Sequence, residues 1–167
     1  MQQQITLRGP QALADRSTER LSACLRGELA AVETYELALR HVNHEAAREA
    51  LESILRSHQR RTELIHDKMA RAGLPVPASS GAWGALAKAV QVGADLLSLS
   101  TAVAALEAGE DRGLRLYTSD LESCDHDTRY FIATTLLPEQ RRTHELCRSL
   151  KRELRKPSGS QVDQFIH

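Results

Sequence analysis

Six side chains in this 167-residue chain are of the types that hold transition metals: Glu28, His58, Glu107, Glu110, Glu139 and His144. Carboxylate and imidazole together make a ligand set for iron, manganese or zinc, and a carboxylate-bridged metal of that kind activates dioxygen or peroxide. Tyr35, Tyr117, Arg61, Arg142 and Gln140 are candidates to support such ligands by hydrogen bonds or charge. The same residues allow a metal-free answer, in which Arg61 and Arg142 pair with the carboxylates. One answer or the other is required, because an uncompensated ion in an apolar interior is strongly disfavoured.

These residues lie on helical stretches. Leu (24) and Ala (22) far outnumber Val (7) and Ile (5), a bias toward helix formers over β-branched aliphatics. Helix A is expected over about Asp15–Val42, and helix B, after a short turn at Asn43-His44, over about Glu45–Ala72. Gly73, Pro75 and Pro77 end helix B. A shorter helix follows over about Trp83–Leu97, and helix C runs from Ser100 or Thr101 to about Ser123. Helix D follows the turn at Cys124–Asp127 and reaches about Arg155, with Pro138 in its interior. The expected organisation is a tail over 1–14, a bundle over 15–155 and a tail over 156–167. Within the bundle, hairpins 15–72 and 100–155 are joined by a crossover at 73–99.

Placing residues about 100° apart gives each helix an apolar stripe. Glu28, His58, Glu110 and Glu139 fall inside the stripes of A, B, C and D, each about 15 residues from its hairpin turn, so all four are expected at one level of the core. Glu107 sits at the edge of the helix C stripe and Arg61 and Arg142 at stripe margins. The helix D stripe is Ile132, Leu136, Leu146, Leu150 and Leu154. Pro138 is expected to kink that helix just before Glu139, and a one-residue phase change there would swing His144 inward.

The hairpins also resemble each other. Gly27-Glu28 and Tyr35 recur as Gly109-Glu110 and Tyr117, 82 residues on, and Gln59-Arg60-Arg61-Thr62 recurs as Gln140-Arg141-Arg142-Thr143, 81 residues on. This pattern reads as the duplication of one helical hairpin.

Composition narrows the function. Lys+Arg and Asp+Glu both number 22, so the net charge is zero with His neutral. That argues against a broadly basic nucleic-acid binder. No run of 18 apolar residues exists to span a membrane, and MQQQITLRGP lacks the form of a secretory signal. Three cysteines without CxxC spacing suit a reducing compartment, so a cytoplasmic location is expected.

The stretches LRGELAAVETYELAL, SGAWGALAKAV, LEAGEDRGLRLY and LLPEQRRTHEL carry a resemblance to the ferritin-like superfamily. More narrowly, the chain resembles a functionally uncharacterised bacterial branch of small four-helix proteins. The resemblance implies an all-α, ferritin-like four-helix bundle made of two antiparallel hairpins joined by a long, partly helical crossover. It also implies a homodimer by the habit of the fold. The superfamily's dinuclear site takes one Glu from each of two helices and a Glu-x-x-His from each of the others. Glu28 and Glu110 match the lone Glu positions, but Leu55 stands three before His58, and Leu136 three before Glu139. The expectation is a carboxylate/histidine metal site in the core with redox or metal handling in stress. The alternative is a non-catalytic adaptor or stress protein that has lost the site. A small-molecule binder using a core cavity is a third expectation. Iron, manganese, zinc and no metal at all are equally compatible with the residues.

Overall fold

The computed structural model describes residues 9–81 and 99–155, which are helical with short connections and contain no strand. The expected crossover helix over Trp83–Leu97 lies outside the described residues, as do the tails over 1–8 and 156–167. The elements are α1 (Pro10–Leu39), α2 (Glu45–Arg71), α3 (Leu99–Thr118), α4 (His126–Phe131) and α5 (Leu137–Arg155). A π turn, Ile132–Leu136, joins α4 and α5 into one continuous rod, so four long rods pack together.

Helix ends follow local chemistry. α1 starts at Pro10, inside the stretch expected to be a tail, because proline at the first helical position loses no hydrogen bond. The guanidinium of Arg48 gathers the carbonyls of Leu39 and Val42 and ties the first hairpin turn. α2 closes in a Schellman arrangement: Leu74 N–H donates to Met69, Gly73 N–H to Ala70, and Gly73 takes a φ of 67° that glycine adopts without a Cβ penalty. α3 gives way after Thr118 to a turn with Asp120 in the left-handed region and a single 3-10 turn, Leu121–Ser123. Asp125 then caps α4 by accepting from the Thr128 N–H at 2.7 Å.

Specific pairs give the helix directions. Glu28 meets Tyr117 while Tyr35 meets Glu110, so α1 and α3 are antiparallel. Ser57 meets Glu139 while Lys68 meets Asp127, so α2 and the α4–α5 rod are antiparallel too. α2 and α3 therefore run the same way, and α3 begins at the end of the bundle opposite to where α2 stops. The chain after α2 turns back along α1: Leu74 and Val76 pack on the core and Ser80 donates to the Glu33 carboxylate at 3.0 Å.

Two apolar clusters fill the interior. One, around Tyr35, Leu51, Ile54, Leu106 and Cys147, lies at the end of the α1–α2 turn. The other, around Leu21, Leu25, Ile65, Met69, Ile132 and Leu136, lies at the opposite end. The polar residues singled out from the sequence occupy the layer between them. No helix among the described residues is long and apolar enough to cross a membrane.

The cap on α4 gives a direct test. Asp125→Ala should lower stability by about 1 kcal/mol, read as a shift in the urea midpoint at unchanged slope, and Asp125→Asn should restore most of it.

Candidate functional site: a buried ionic quartet

The layer between the clusters holds four charges. Glu28 from α1 and Glu110 from α3 face His58 and Arg61 from α2, and all four are buried, Arg61 to 1% exposure. Arg61, expected at a stripe margin, stands at the centre. Its Nε donates to Glu28 Oε1 at 3.0 Å, its Nη1 to Ser57 Oγ at 2.8 Å and its Nη2 to Gln140 Oε1 at 3.0 Å. His58 bridges the two carboxylates, with Nδ1 2.7 Å from Glu28 Oε2 and Nε2 3.0 Å from Glu110 Oε1. Ionised carboxylates only accept, so both ring nitrogens carry protons and His58 is an imidazolium. Two negative charges thus meet two positive ones.

Other side chains complete the shell. Tyr117 donates to Glu28 Oε1 at 2.6 Å and Tyr35 to Glu110 Oε1 at 2.8 Å, each tyrosine serving the carboxylate of the other hairpin. Gln140 Nε2 and Thr143 Oγ donate to Glu110 Oε2 at 2.8 and 3.0 Å. Gly113 makes room for this, since a Cβ there would stand 2.9 Å from Gln140 Nε2. Among the described residues no buried side-chain nitrogen or oxygen lacks a partner.

The charges set each other's ionisation. Burial opposes a charged Glu28, but the Arg61 guanidinium and then the His58 ring outweigh it and hold the carboxyl down at about 2. Against the same burial, His58 and Tyr35 hold Glu110 below its ordinary value. Burial would strip the proton from His58, but Glu28 and Glu110 raise it instead. Arg61 Nη2, 2.7 Å from His58 Nδ1, is a donor set against a donor. Its repulsion works against the imidazolium, and the two carboxylates prevail. Burial pushes both tyrosines well above 10 and, against the hydrogen bond from Tyr35, the Cys147 thiol to about 12. Cys24 is raised as well, chiefly by burial, so neither thiol is a nucleophile near neutral pH. A carboxyl near 2 is also a poor general base.

The donor set does not fit a metal. One ring nitrogen of His58 is spent on each carboxylate, and a guanidinium fills the space that Glu28, Ser57 and Gln140 surround. Among the described residues, no group of three or more His, Cys, Asp or Glu is arranged to hold a metal ion. Three of the six candidate ligands stand apart from the centre. Glu107 pairs with Lys151, His144 with Asp111 at 2.7 Å, and Glu139 is 47% exposed between Arg142 and Ser57. Arg142 stays at the surface with it.

The π turn accounts for the displaced Glu139. Leu137 N–H donates to Ile132, five residues back, instead of Ala133. Pro138, the next residue, has no N–H, so the return to four-residue spacing falls where no bond is lost. The extra residue in the turn advances the buried face of α5 to Gln140, Thr143, Cys147 and Leu150. The phase change expected at Pro138 is present, but it brings in Gln140 and leaves His144 at the flank. Sequence reasoning placed Gln140 and Arg61 as supporters and passed over Ser57 and Thr143. The adjacency of Gln140 to Glu139 at a proline was the available signal.

The two hairpins can also be compared by their buried faces. Buried residues of the second helices correspond at 82, as in the first: Ile54 with Leu136, His58 with Gln140, Arg61 with Thr143, Ile65 with Cys147. The Gln-Arg-Arg-Thr repeat, at 81, stands one residue out of register with these faces, so Gln140 takes the place of His58 and not that of Gln59. A cavity of about 50 Å³ sits between α1 and α3, walled by such pairs as Gly27/Gly109, Ala31/Gly113 and Tyr35/Tyr117. It has room for water and is far below the volume of organic-ligand pockets.

No protein-family model, curated protein or solved structure matches this chain.

Two predictions follow from the charge balance. Arg61→Ala should cost about 3–5 kcal/mol by stranding Glu28, and Glu28→Gln in that background should recover part of it, measured as a double-mutant cycle in urea. The pH dependence has two arms. Glu28 and Glu110 stabilise fully above their ordinary value of 4.5 and less as pH falls through their lowered values, about 2 for Glu28. His58 stabilises fully below 6.5 and less as pH rises through its raised value. The urea midpoint should therefore peak between 4.5 and 6.5, and His58→Gln should remove the alkaline arm and shrink the acid arm, since His58 helps to hold both carboxyls down.

Proposed function

We propose that this chain is a ferritin-like four-helix bundle whose core is closed by an arginine-centred ionic quartet in place of a metal centre. On this reading it acts as a non-catalytic adaptor or stress protein. The observation that carries the reading is Arg61, whose guanidinium stands among Glu28, Ser57 and Gln140 at 1% exposure. Its charge does for the carboxylates what a divalent ion would do, and it fills the space between Glu28, Ser57 and Gln140. The helix directions support the ferritin-like part: two antiparallel hairpins whose second and third helices run the same way is the arrangement that needs one long crossover. The chemistry of the layer supports the non-catalytic part. Every carboxylate oxygen has a donor, the thiols are protonated and the cavity is too small for an organic substrate.

Elemental analysis of untagged protein, purified without chelator and then loaded anaerobically with Fe(II), Mn(II) or Zn(II), tests this. The expected result is no stoichiometric metal. Stoichiometric metal that disappears in the Glu28→Ala/His58→Ala variant would overturn the proposal and turn attention to peroxide and dioxygen turnover.

A further inference from the structure

A second cavity lies away from the ionic layer, at the end of the bundle where α1 begins, α2 stops and α4 begins. Its volume is about 610 Å³, within the range of about 300–1,000 Å³ that takes small organic molecules. The floor is apolar: Leu21 is buried there, and Leu64, Leu74 and Phe131 pack half-buried against the same core cluster. The walls carry charge, with Asp67, Asp125 and Asp127 set against Lys68 and Arg71.

Lys68 marks the chemistry of this place. It leaves α2 and reaches across to α4, where its ammonium stands 4.9 Å from the centre of the Phe131 ring and 2.5 Å from Asp127 Oδ2. A cation held on an aromatic face beside a carboxylate is cation recognition, made here within one chain. Asp125 adds to the same field. Against partial burial, hydrogen bonds from Ser17 and Thr128 and then the charge of Lys68 hold its carboxyl below the ordinary value. The tether itself is loose, because Asp127 is 84% exposed and water competes well with an ion pair at such a site. Arg71 reaches outward, equally exposed and 3.9 Å from Asp67, so it does not compete for the ring.

We propose that this cavity binds a small organic cation, an amine or quaternary ammonium borne on an alkyl or aryl body, and that Lys68 occupies the cation's place until the ligand displaces it. The body would cover Leu21, Leu64 and Leu74, and the charge would take the Phe131 face beside Asp125 and Asp127. Three wall carboxylates against two cations select against an anion. None of these residues belongs to the ionic layer, so the site stands or falls apart from the function proposed above.

The full-length protein is titrated with benzyltrimethylammonium and its amide signals are followed by NMR. Benzyl alcohol and phenylacetate, at equal ionic strength, serve as the neutral and anionic probes. The expected result is saturable shifts gathered at Ser17, Lys68, Thr128 and Phe131, with the cation bound about threefold or more tighter than either other probe. Lys68→Ala, which removes the occupant, should tighten the cation by about fivefold, whereas Lys68→Arg, which puts another tethered cation in its place, should not. A cation bound no better than benzyl alcohol or phenylacetate overturns the proposal. So do shifts that fall elsewhere on the bundle, or an affinity that Lys68→Ala leaves unchanged or lowers.

Discussion

The rest of the structure is arranged around one guanidinium taken out of water. Burying Arg61 is unfavourable unless its donors and its charge are met, and the surrounding elements meet both. Glu28 supplies the counter-charge, and Ser57 and Gln140 receive the outer nitrogens. Glu110 balances His58, and Tyr35, Tyr117 and Thr143 complete the carboxylates. The layer joins all four rods, so it sets the height at which they meet as well as the charge between the two apolar clusters.

Such a layer contributes uniqueness more than stability. Leu and Ala cores pack in many ways that differ little in energy, and only one alignment of the helices satisfies these hydrogen bonds. The crossed tyrosines show this most plainly: sliding α1 along α3 by one turn would break both phenol–carboxylate bonds together. Gly113 makes the same point sterically, because any side chain there would push Gln140 off Glu110.

The two hairpins share their geometry and differ in their charge. Carboxylate and tyrosine are repeated on α1 and α3, but both cations come from α2, while the matching places on α5 hold the neutral Gln140 and Thr143. The π turn enforces this asymmetry by turning Glu139 and Arg142 to the surface as an ion pair. Two carboxylates against two cations need no further ion, whereas a third buried carboxylate would.

Much of this was legible in the chain itself. Helix-forming composition, turn residues and the 3.6-residue pattern were enough for four rods and for the inward placement of Glu28, His58 and Glu110, because those signals are local and repeat along the chain. The tertiary structure decided the rest. Whether Arg61 points out or in depends on carboxylates from two other helices, and no pattern within α2 carries that information. Whether Glu139 or Gln140 faces the core depends on a single stored residue, invisible to a periodicity that assumes constant spacing. Glu107 and His144 found partners across a helix interface, in Lys151 and Asp111, that only packing brings near. Residue types set which charges had to be compensated, and three-dimensional proximity selected what compensates them.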